Sequence, residues 1–198
     1  ASDVYKRQLL AGAGAGLFPF KLHQFIAQGG APHATLEPAD VRQISLTPQV
    51  YASDTEERLF FPLVFCRVCG QDFYVARWHR ERDLLRPVSF GRSDEDSDSE
   101  GEPEAWLHGY VMLDEAERWT DDDSLLPDHW RDKRGRPKSQ FRKLAPVAMH
   151  VLPSGQSAST PGSGVRCCFV PRPLMLCPGC GEVFTKRESE FRKLATLG

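Results

Sequence analysis

The chain lacks any long apolar run: no window approaches about 18 uninterrupted apolar residues, the least a membrane-spanning helix needs. Its most apolar early stretch, Leu17 to Ile26, is broken by Lys21, His23 and Gln24. It also lacks an excess of one charge. A net charge of -2 argues against a uniformly basic coat, so any contact with nucleic acid has to be local. Lys6 and Arg7 followed by Leu9 to Gly16 imitate a secretory leader only weakly, because the run is mostly Ala and Gly. Catalytic signatures are missing as well. Neither H-E-x-x-H nor G-x-x-x-x-G-K-[ST] occurs, and no Ser, His and Asp arrangement is recognisable, so no catalytic centre is read from the residues.

What is present is a pair of matching cysteine motifs. Cys66-Arg67-Val68-Cys69-Gly70 and Cys177-Pro178-Gly179-Cys180-Gly181 each follow an apolar segment and each end in glycine. Two residues between cysteines let both sulfurs face one ion, and the glycine supplies the positive φ that such a turn often requires. The spacing suits a shared metal better than disulfides, which implies a reducing, cytoplasmic setting. Four thiolates in a closed tetrahedral shell fit structural zinc, with a single iron atom as the competitor. Residues 70 to 176 separate the two pairs, far more than the roughly 15 to 20 of a compact ribbon, so the site closes a large insertion. Gly181 and the segment Glu182 to Thr185 read as turn and strand, which argues against a thioredoxin-like dithiol at Cys177 and Cys180. Cys167 and Cys168 read as small buried hydrophobes of a strand, and His79 as a strand-end surface residue.

Along the chain, Asp3-Val4-Tyr5-Lys6-Arg7-Gln8 looks like a translated sequencing adapter, which would make the chain a fragment; residues 1–16 are read as this scar and a flexible Ala/Gly connector. Leu17, Phe18, Leu22, Phe25 and Ile26 predict a short amphipathic helix to Gln28. Strand-like segments are Val41–Leu46, Leu59–Phe65, Asp72–Trp78, Ala105–Leu113, Val147–Leu152, Val165–Val170 and Leu174–Leu176, with one helical turn at Leu125–Trp130. The acidic segment 91–104 predicts a disordered loop and 153–164 a Ser/Gly/Pro loop. The expected fold is a β-rich α+β module spanning 17–198, zinc-ribbon-like, with two CxxCG knuckles, a long insertion and a short N-terminal helix. Arg131, Lys133, Arg134, Arg136, Lys138, Arg142 and Lys143 form a basic run that, with Trp78, Trp106 and Trp130, is a candidate nucleic-acid contact.

Three stretches carry a family likeness: Phe18 to Ile26, Phe65 to Tyr74, and Leu176 to Leu197. They resemble the cysteine-containing region of large bacterial DEAD/DEAH-box helicases. The resemblance implies an accessory module next to RecA-like lobes of the same parent chain. It implies Cys66, Cys69, Cys177 and Cys180 as metal ligands, with His23 characteristic but without an assigned role. It also implies that ATP and Mg2+ are bound by the parent, because no Walker motif or DEAH box lies within these 198 residues. The piece alone is then expected neither to hydrolyse ATP nor to unwind anything. The alternatives are a freestanding zinc-stabilised module that recruits a protein partner and a dithiol oxidoreductase.

Overall fold

The computed structural model describes residues 31–52, 55–91, 105–158 and 163–197. The expected adapter scar at 3–8, the connector 11–16, the helix Leu17–Gln28 with His23, the acidic segment 92–104 and residues 159–162 of the Ser/Gly/Pro loop lie outside them.

The β-branched and aromatic segments pair into one antiparallel sheet. Its strands are β1 (His33–Thr35), β2 (Ile44–Ser45), β3 (Tyr51–Ala52), β4 (Thr55–Cys66), β5 (Asp72–His79), β6 (Leu84–Pro87), β7 (Trp106–Leu113), β8 (Val147–Val151), β9 (Val165–Pro171) and β10 (Leu194–Ala195). The order is β2-β1-β4-β5-β7-β9-β8, with β3 and β10 also on β4 and β6 on β5. Helical structure among the described residues is confined to short turns, including α1 (Ser139–Arg142) and α2 (Glu190–Lys193). The fold is therefore β-rich with few helices.

The central strands are buried on both faces, which is why they read as nearly continuous apolar runs rather than as alternating ones. Successive side chains point to opposite faces. On β5, Phe73 and Val75 join one core with Tyr110, Met112, Cys168 and Val170, whereas Tyr74, Ala76 and Trp78 join another with Val111, Cys167 and Phe169. Cys167 and Cys168 thus enter different cores and are 1% and 0% exposed, as expected of small hydrophobes. Each fully buried large side chain contributes about 1.5–3 kcal/mol, so two such cores can sustain the sheet without a cross-link.

Four local expectations are corrected. Val41–Leu46 forms only the two-residue β2, because Pro38 starts a turn in which the Val41 N–H bonds the Pro38 carbonyl. Leu125–Trp130 is not one turn but two 3-10 turns, Asp123–Leu125 and Asp128–Trp130, with Pro127 between them. Leu174–Leu176 contributes a single bridge, Leu176 to Val183, between Pro173 and Pro178. His79 does end a strand but is not on the surface: it is 3% exposed, stands edge-on to Trp106, and its Nδ1 accepts the Arg82 N–H.

Candidate metal centre

Both cysteine motifs fold into the same turn. In the first, the Gly70 N–H bonds the Cys66 carbonyl at 2.8 Å and the Cys66 N–H bonds the Gln71 carbonyl at 2.8 Å. In the second, the Gly181 N–H bonds the Cys177 carbonyl at 2.8 Å and the Cys177 N–H bonds the Glu182 carbonyl at 2.9 Å. Gly70 and Gly181 sit at φ of 78° and 75°, the left-handed region in which a side chain is strained. The glycine closing each motif is therefore a backbone requirement.

The fold brings the two turns together from opposite ends of the chain. The first lies in the β4–β5 hairpin, where Phe65 pairs with Asp72. The second hangs on the Leu176–Val183 bridge, and the chain then returns through α2 to β10, whose Leu194 pairs with Cys66. The Arg67 N–H also bonds the Lys193 carbonyl at 2.9 Å. Gly179 approaches Gln71 so closely that an added Cβ would lie 3.0 Å from the Gln71 Cγ.

The four sulfurs of Cys66, Cys69, Cys177 and Cys180 lie within 4.8 Å of one another, with 3.9 Å between Cys69 and Cys177. The edge of a tetrahedron with metal–sulfur bonds of about 2.3 Å is about 3.8 Å, so this donor set fits one tetrahedral ion. Cys66 and Cys177 are buried at 2% and 0% exposure, while Cys69 and Cys180 face solvent. Burial, reinforced by the nearby Cys66, pushes the Cys177 thiol well above its ordinary pKa. A cation is what would stabilise a thiolate there. The second motif is followed by a turn and a bridge instead of a helix, so the helix N-terminus that acidifies a catalytic dithiol is missing. Burial likewise pushes Cys167 up to about 12 and Cys168 well up, which makes both inert thiols.

The basic run is a separate surface. Arg131 pairs with Asp128, Arg136 pairs with Asp132 at 3.6 Å, and the Lys138 amine donates to the His129 carbonyl at 2.8 Å. Lys133, Arg134, Arg142 and Lys143 are exposed. Of the aromatics considered for base stacking, Trp130 is fully buried and Trp78 is 9% exposed, so both belong to the core. Trp106 is half-buried under the Arg77 guanidinium, 4.4 Å from its ring centroid.

Sequence reasoning missed the residues that tie the second turn to the sheet. Lys193 is completely buried and its Nζ lies 2.9 Å from Glu190 Oε1, while Glu190 Oε2 accepts the Tyr110 hydroxyl and the Leu174 N–H. A lysine between Arg192 and Leu194 looks like ordinary surface charge, so only the fold reveals this anchor. No helix among the described residues is long and apolar enough to cross a membrane. No family model matches the chain, and no curated protein or solved structure matches it.

Proposed function

We propose that Cys66, Cys69, Cys177 and Cys180 hold one structural zinc ion, and that the chain is an accessory module of an ATP-dependent nucleic-acid motor of the DEAD/DEAH-box type. The observation that carries the metal reading is the meeting of four sulfurs within 4.8 Å from two like turns more than a hundred residues apart. Zinc suits a closed shell of four thiolates, and such a shell leaves no open position for chemistry. The ion's part is therefore to cross-link. The motor assignment is supported by the family resemblance of the three stretches around Phe18, Cys66 and Cys177, and the module's role in it is structural.

Metal analysis of the purified chain, joined to thiol titration, tests the first part. One equivalent of zinc is expected, with four cysteines becoming reactive on chelation and Cys167 and Cys168 only on unfolding. One equivalent of iron would replace zinc in the proposal, and six equally reactive thiols without metal would end it. The second part requires a lysine-containing phosphate loop encoded upstream in the same reading frame. A flanking sequence without one overturns the motor assignment and leaves the metal centre standing.

A further inference from the structure

Beside the second cysteine turn lies an open pocket of about 390 Å³ that the metal centre does not use. Its wall is built from Trp130, Phe141, Met175 and Phe184, with His129 and Lys186 among the residues at its edge. Trp130 and Phe141 stack with centroids 4.8 Å apart and planes within 3°. His129 stands at 87° and 86° to them, 6.4 and 6.0 Å away, which places it beside the stack. A concave, mainly apolar surface with a few polar groups at the rim is the usual form of a binding site.

A second observation points to an occupant. The Trp130 indole N–H is fully buried and has no hydrogen-bond acceptor among the described residues. A buried donor without an acceptor carries a desolvation cost that a ligand oxygen would relieve. The pocket thus offers an apolar socket and one donor.

The rim decides what kind of molecule brings them. Lys186, Arg142 and Lys143 are exposed cations, so the flanks attract negative charge. The cations do not form an uninterrupted track, however. Asp128 and Asp132 neutralise Arg131 and Arg136, and the Glu188 carboxylate is bonded to Thr185 of the pocket edge through the backbone N–H at 2.7 Å and the hydroxyl at 3.0 Å. Those backbone N–H bonds also hold Glu188 and Asp132 below the ordinary carboxylate range, so both stay charged. A phosphodiester strand running past the mouth would meet them at every turn, whereas a peptide can place its charges selectively.

We propose that this pocket docks a short acidic peptide segment of a partner protein, which inserts one apolar side chain beside Phe141 and offers a backbone carbonyl to the Trp130 indole. Such anchoring of one side chain in a socket, with charges on the rim giving orientation, is how small interfaces obtain most of their affinity.

The test uses the full metal-loaded chain and a panel of short peptides with a central Leu, Phe or Trp flanked by Asp and Glu, each paired with a Ser-centred control. The assigned Trp130 indole resonance is followed by NMR and affinity by fluorescence anisotropy. The apolar-centred peptides are expected to shift that resonance and to bind about tenfold more tightly than their controls, a gap of about 1.4 kcal/mol. Lys186→Glu, an exposed change that leaves the fold intact, is expected to weaken them by a similar factor. If no peptide in the panel moves the Trp130 signal, the proposal is wrong. It is equally overturned if an oligothymidylate moves that signal and the peptides do not, because the socket then takes a base.

Discussion

The two cysteine turns share one backbone conformation but not one support. The first interrupts a hairpin between the twelve residues of β4 and the eight of β5, and β10 pairs with it as well. The second rests on one isolated bridge and one further backbone bond, from the Phe184 N–H to the Met175 carbonyl. Identical grammar in the sequence therefore yields one turn that the sheet would form regardless and one whose place depends on what holds it. A shared cation binds the dependent turn to the independent one, and that asymmetry can be broken experimentally.

Chelation tests it with the largest expected effect. Removing the ion should cost on the order of 5 kcal/mol or more of stability, since a structural site's binding energy is folding energy. The loss should be uneven: hydrogen exchange ought to rise at residues 177–188 while β4 and β5 keep their protection. Uniform exchange across both turns would show that the sheet itself needs the metal. Single substitutions refine this. Cys69→Ser and Cys177→Ser should each abolish stoichiometric metal, because three thiolates do not close the shell. Cys177→Ser should be the more destabilising, since it also buries a hydroxyl where the native residue is 0% exposed. Equal melting temperatures for the two variants would remove that distinction.

The next effect concerns the anchor that complements the ion. Glu190→Gln leaves the Lys193 ammonium buried beside a neutral partner, a change expected to cost about 3 kcal/mol, at the lower end for broken buried pairs because Glu190 is itself 11% exposed. Lys193→Met should cost much less, for the carboxylate it abandons keeps the Tyr110 hydroxyl and the Leu174 N–H as donors. Denaturant titration of both variants gives the comparison. A reversed order would mean that the carboxylate, and not the ammonium, is the expensive burial.

Much of this arrangement was legible in the residues, and the part that was not has a physical reason. Dense β-formers such as Leu59 to Phe65 and Asp72 to Trp78 announce strands because propensity and burial agree there. The CxxCG spacing announces its turn because few backbone paths let two sulfurs face one ion. Strand order is invisible because it is set by pairings such as β7 with β9, between residues some sixty positions apart. Local signals also lost to proline: Leu174 to Leu176 has strand composition but lies between Pro173 and Pro178. The role of Trp130 was misread for a similar reason, since a tryptophan beside a basic run looks like a stacking surface until Phe141 is seen lying flat against it.

The smallest expected effect separates backbone geometry from support. Gly70 and Gly181 share nearly the same φ, and a Cβ at either would meet nothing within 4 Å, so alanine there costs only left-handed backbone strain, roughly 1–2 kcal/mol. Measured as global stability with metal bound, Gly70→Ala and Gly181→Ala should therefore agree closely. Measured as the rate of metal loss to a chelator, they should diverge. The strained first turn is still held by β5 and β10, whereas the strained second turn has one bridge to resist opening. Faster release from Gly181→Ala than from Gly70→Ala is the expected result. Equal release rates would mean that the ion leaves by a route on which neither turn opens first, and the asymmetry drawn from the sheet would not extend to kinetics.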